Sequence, residues 1–233
     1  IYALKPTHGL ISRTGVLLQS HTLDTVGVYG RSVDDLGLLA DAMSTQDPAD
    51  PVSYRRSQPS LLAMSREEPP IPPIFCYLNT PVLDDAEAVA REAFGEVVEA
   101  LAGRCEAMDL NMHPDIVAAW QTVQAVENAR CYGDLLRRSP ELLSEELRGR
   151  LEAGARMTPE QYQRTLQLRQ PAYAVIEDIQ TSYNAILTPA ATGPAPKGHD
   201  STGNPVFNGP WTFLGCPAVT LPLITSQRRD EFN

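Results

Sequence analysis

Ile74-Phe75-Cys76-Tyr77-Leu78, the segment Asp84 to Gly103, and Cys105-Glu106-Ala107-Met108-Asp109-Leu110 form one unit in the middle of the chain. The first run is short, apolar and rich in strand-forming residues, and it reads as a buried strand. In the second, Phe94, Val97, Val98 and Leu101 recur at helical spacing. Asp84 is the expected cap of that helix. Gly103 follows its last turn, where a left-handed residue is wanted. The third run reads as another strand. Strand, helix and strand in that order suit a parallel crossover and indicate an α/β protein rather than an all-α or all-β one. The predicted architecture is part of a mixed β-sheet with helices on both faces.

On the N-terminal side, Thr45 to Pro73 is polar and proline-rich. It predicts a surface connection carrying one short helix near Leu61 to Met64. Before it, Leu36, Leu39, Ala40 and Met43 fall on one helical face, and Ser32 with Asp35 resembles a capping box. Residues 1–30 read as loops and short strands, for example Gly15 to Leu18. On the C-terminal side, His113-Pro114 opens a long helix with Ile116, Ala119, Trp120, Val123 and Val126 along one side. A further helix is expected from Pro140 to Gly154. Thr158-Pro159-Glu160-Gln161 is a third helix start, and Pro171 should kink or split that helix. Ala185 to Thr188 and Ala218 to Leu223 read as strands, separated by a Gly- and Pro-dense loop from Pro189 to Gly203. Residues 1–233 are taken as a portion of one domain.

The 233 residues are 42% hydrophobic and 21% charged, an ordinary globular balance. A net charge of −10 without clustered Lys or Arg argues against a nucleic-acid partner. No run reaches the roughly 20 apolar residues of a membrane span. The four cysteines, Cys76, Cys105, Cys131 and Cys216, lack the paired spacing of a zinc site and suit a reducing, cytoplasmic setting. His8, His21, His113 and His199 include no helical metal pair. No Gly-x-Ser-x-Gly elbow, GxGxxG or Walker loop occurs. No metal and no cofactor are expected. Cys216, between Gly215 and Pro217, reads as a packed small residue rather than a nucleophile.

The ends of the chain are more specific. Near the start stand Leu4-Lys5-Pro6-Thr7-His8-Gly9, then Ser12-Arg13-Thr14-Gly15-Val16, then Leu23-Asp24-Thr25-Val26-Gly27. Near the finish stand Leu187-Thr188-Pro189-Ala190, Gly203 to Pro205, and Phe207-Asn208-Gly209-Pro210-Trp211-Thr212-Phe213-Leu214-Gly215-Cys216-Pro217-Ala218. Taken in order, these blocks resemble the amidase signature family. Ala3 stands where that family usually has Gly.

The resemblance implies amide hydrolysis by a serine nucleophile. A neutral Lys acts as base through a bridging serine held by a cis peptide, and backbone N–H groups hold the oxyanion. It also implies that the nucleophile, bridging serine and lysine base lie upstream of Ile1, since only four residues precede Lys5. Lys5 then has a structural role, this chain contributes no catalytic residue, and alone it is expected to be inactive. Asp24, Thr25, Asn208, Trp211 and Thr212 are the expected substrate-binding residues, and a small amide is the expected substrate. A homodimer is the oligomeric form considered. Two alternatives accompany this reading: a non-catalytic scaffold that keeps the fold, and the A-type subunit of a tRNA-dependent amidotransferase.

Overall fold

The computed structural model describes residues 1–53, 60–101, 103–110, 113–199 and 201–224. Part of the proline-rich connection and the polar tail from Ser226 lie outside these. The elements in chain order are β1 (Tyr2–Lys5), β2 (Val28–Gly30), α1 (Val33–Met43), α2 (Leu61–Ser65), β3 (Phe75–Asn79), α3 (Ala88–Ala100) and β4 (Cys105–Asp109). There follow α4 (His113–Arg138), α5 (Glu145–Arg156), α6 (Pro159–Gln167), α7 (Arg169–Gln180), β5 (Ala185–Leu187), α8 (Gly209–Leu214) and β6 (Ala218–Thr220). The protein is α/β, as its central unit indicates.

Its described strands form two three-stranded sheets rather than one mixed sheet. β4, β3 and β5 are parallel with β3 in the middle, and Phe75 lies opposite both Cys105 and Ala185. Along β3 the side chains alternate. Cys76 and Leu78 enter the main apolar core with residues of α4, α6, α7 and α8. Tyr77 faces the other way and meets Phe94 of α3 edge-on, at 6.0 Å between ring centroids. Helices therefore cover both faces of this sheet. The second sheet is antiparallel, with β1 between β2 and β6. It packs through Val28 and Leu4 against Leu36 and Ala40 of α1.

Several local expectations change. Gly15 to Leu18 is turn and loop rather than strand, and Leu17 is 75% exposed. A 3-10 turn at Pro81–Asp85 contains Asp84, and Glu87 is the N-cap of α3, so Asp84 caps nothing there. Gly103 does take the left-handed conformation, with φ 78°. Ser32 caps α1 through the Asp35 N–H, but the Asp35 carboxylate turns to the Arg31 N–H, so the box is not reciprocal. α1 buries Leu36, Gly37 and Ala40, while Leu39 and Met43 are exposed. The reason is Gly37: a Cβ there would sit 2.8 Å from the Leu62 backbone, so α2 lies directly on that side of the helix. The predicted 140–154 helix is a 3-10 turn followed by α5. The Thr158–Gln161 box is reciprocal, as the sequence predicts. Its helix ends at Gln167, and α7 restarts with Pro171 in its first turn, where no N–H is needed. The last predicted strand is shorter, ending at Thr220.

Candidate functional site

The first and last sequence blocks come together. β1 pairs with β6, placing Lys5 opposite Ala218. The His8 N–H donates to the Gly215 carbonyl at 3.2 Å. Lys5 Nζ donates to the carbonyls of Pro6, at 3.2 Å, and Cys216. Burial pulls the Lys5 pKa down to about 8. The ammonium nevertheless spends its protons on main-chain oxygens, which is the work of a structural tie. Gly215 is left-handed, with φ 74°, and ends α8 so that the chain can turn into Cys216 and β6. Cys216 is buried, and burial pushes its thiol pKa up, consistent with a packed residue.

The expected substrate-binding residues fall in two places: Asp24 and Thr25 on a loop, and Asn208, Trp211 and Thr212 at the N-cap and within α8. Asp24 accepts from the Gln19 and Ser20 N–H groups at 2.7 and 3.1 Å, and Thr25 Oγ1 donates to the Leu23 carbonyl at 3.2 Å. Asp24 lies toward Cys131 and Tyr132 of α4, close enough to help raise both pKa values after burial, the larger cause. Asn208 is exposed and donates to the Ala190 carbonyl at 2.8 Å, tying the entrance of α8 to the loop after β5. Thr212 Oγ1 donates to the Asn208 carbonyl at 3.3 Å, so these two are joined. Trp211 is 8% exposed and belongs to the main apolar cluster with Trp120 and Phe213. A Cβ on Gly209 would overlap the Trp120 ring, so α8 approaches α4 only because residue 209 is glycine.

Sequence reading misses the groups that hold the Asp24 loop. Glu127 of α4 is 1% exposed. It accepts from the Ser20 and Thr22 hydroxyls, from the Thr22 N–H at 2.9 Å and from the Tyr162 hydroxyl at 2.5 Å. Burial pushes the Glu127 pKa up, but these hydrogen bonds together outweigh it and hold the carboxyl below its ordinary value. Asn128 donates to the Gln19 carbonyl at 2.9 Å. Arg130 stacks over the Tyr162 ring, 4.3 Å from its centre. A signal exists in the sequence: Glu127 lies four residues after Val123, on the stripe of Ile116, Trp120 and Val123. A second hidden pair is Arg13 with Asp50, whose side chains are 5% and 3% exposed. Arg13 Nη2 meets Asp50 Oδ1 at 2.9 Å, its N–H meets Oδ2 at 2.8 Å, and Nη1 donates to the His21 carbonyl. These bonds hold Asp50 well below the usual carboxylate range. Part of the proline-rich connection is thus pinned to the Ser12-Arg13 block.

Among the described residues no group of His, Cys, Asp or Glu is placed to hold a metal ion, and no helix is long and apolar enough to cross a membrane. The fold is shared with solved structures. One is the s-triazine catabolic enzyme described with a vestigial protein complex, at TM-score 0.80 and 26% identity over 94% of this chain and 50% of that one. Another is the A-type subunit of the Thermotoga maritima glutamyl-tRNA(Gln) amidotransferase, at TM-score 0.78 and 21% identity over 97% of this chain and 52% of that one. The class so defined is an α/β protein of amidase architecture. The amidase family model matches residues 1–230, and the chain belongs to that family. Its curated relatives include AtzE, the 1-carboxybiuret hydrolase component of Pseudomonas sp. strain ADP, 28% identical over 95% of this chain and 51% of the relative. The corresponding A-type subunit of the Treponema denticola glutamyl-tRNA(Gln) amidotransferase is 26% identical over 88% of this chain and 49% of the relative. The chain spans about half the length of these relatives.

Proposed function

We propose that the protein hydrolyses the carbon–nitrogen bond of a small carboxylic amide by a Ser–cisSer–Lys mechanism. In this reading residues 1–233 form the wall of the site, and the reacting groups belong to residues outside them. Asp24, Thr25, Asn208, Trp211 and Thr212 line the pocket, and the setting is the reducing cytosol, which suits four free thiols. The observation that carries the proposal is the meeting of the two end blocks, Lys5 to His8 with Gly215 to Ala218, in a chain of the amidase family. Lys5 is committed to two carbonyls, which supports placing the base elsewhere.

The test is ammonia release from a panel of primary amides by the full encoded polypeptide. Turnover that a serine-directed fluorophosphonate abolishes is expected, with none from residues 1–233 alone. Absence of ammonia release by the full polypeptide would defeat the hydrolase reading. Fluorophosphonate-sensitive turnover by the 233-residue chain would place the nucleophile inside it. A second reading, a component of a tRNA-dependent amidotransferase, is favoured by the relatives of that name. It calls for glutamine hydrolysis that depends on a partner protein.

A further inference from the structure

Arg169, Lys5 and His8 gather around Gly215 and Cys216. A Cβ on Gly215 would lie 2.7 Å from Arg169 Nη2 and 3.4 Å from His8 Cβ, so both side chains press on that backbone. Lys5 Nζ reaches the carbonyl of the next residue. His8 Nε2 is buried without a hydrogen-bond partner. Ion pairs among the described residues are made by Arg13, Arg31, Arg66, Arg137, Arg150 and Arg156, and Arg169 enters none of them.

The carboxylates whose fields reach this cluster are Asp50, Glu127 and Glu177. Asp50 is taken by Arg13, and Glu127 by Ser20, Thr22 and Tyr162. Glu177 acts on Cys216. No carboxylate forms an ion pair with Arg169 or Lys5 among the described residues. Burial and then the Arg169 charge hold His8 at about 4, and burial holds Lys5 at about 8. Among the described residues no side-chain hydrogen bond or ion pair engages the half-buried Arg169 guanidinium, so its N–H fork is open to an anion.

Beside it opens a depression of about 330 Å³ lined by Leu166, Arg169, Gln170, Tyr173 and Leu214. Its walls offer apolar and aromatic surface around a single charge. We propose that this depression binds the carboxylate of a small organic acid, with Arg169 as the bidentate anchor, Lys5 as the second positive charge nearby and His8 as an uncharged imidazole beside them. The guanidinium fork matches a carboxylate in plane and spacing. The acid's apolar body lies against Leu166, Tyr173 and Leu214. The proposal needs no bond cleavage, so it stands apart from the hydrolase reading.

The probe is benzoate, titrated calorimetrically into the full encoded polypeptide, with benzamide as its neutral counterpart and inorganic phosphate as a third ligand. Benzoate should bind about tenfold or more tighter than benzamide, the difference expected for a charge-assisted pair. Arg169→Gln should weaken benzoate by a similar factor, with Arg169→Lys in between. The His8 imidazole resonances should move on benzoate addition, and its pKa should rise. Equal binding of benzoate and benzamide to the unsubstituted protein overturns the proposal without any variant. Undiminished benzoate binding to a folded Arg169→Gln protein also overturns it. Phosphate binding tighter than benzoate overturns the assignment to an organic acid.

Discussion

Glu127 shows what a single buried carboxylate does here. Three hydroxyls and one main-chain N–H converge on it from two separate segments. Glu127→Ala would strand those donors in the interior and should cost about 2–4 kcal/mol in denaturant unfolding. Glu127→Gln keeps the shape but turns two acceptor sites into donors, and should recover only part of that loss. His8 gives a pH prediction. Its folded value, about 4, lies below its ordinary 6.5. Between those values the unfolded chain takes up a proton that the folded protein refuses, so this group makes stability rise with pH from about 4 to 6.5. His8→Gln should lack that rise, as read from unfolding midpoints across the window; parallel profiles would contradict it. Glu127 is legible in part, as a polar residue on an apolar helical stripe. Its partners are not, because Ser20 lies 107 residues away in the chain.

At the scale of elements, glycines decide how closely helices meet. α5 carries two. Gly154 is buried against α4, and a Cβ there would overlap the Ala125 carbonyl, whereas a Cβ at Gly149 would meet nothing within 4 Å. Gly→Ala inside a helix ordinarily stabilises by about 0.5–1 kcal/mol. Gly149→Ala should do so, while Gly154→Ala should destabilise by about 1–3 kcal/mol through overpacking. Thermal midpoints that shift the same way in both variants would sink this account. Element identity is mostly readable, because the α4 stripe and the Thr158–Gln161 box rest on near neighbours. Helical period alone misplaces the inner face of α1 at Leu39 and Met43. The centre of that face is set by α2 closing on Gly37, a contact that helical period does not contain.

For the whole molecule, the antiparallel sheet has β2 and β6 as its edges among the described strands. Tyr29, Val219, Leu221, Leu223 and Ile224 are exposed on or just beyond these edges. Open edges beside apolar surface invite pairing between chains. The 233-residue chain by itself should self-associate in multi-angle light scattering as concentration rises. A sharp monomer with one cooperative unfolding transition would refute this.

The α/β class, the starts of α1, α4 and α6 and the order of the amidase blocks were determined by the sequence itself, because periodicity, caps and turns act over a few residues. Tertiary structure alone decided that the strands divide into two sheets, that Lys5 ties to Cys216 across 211 residues, and that Arg13 finds Asp50 across 37. A buried polar group must be satisfied, but which partner satisfies it depends on how the chain closes on itself.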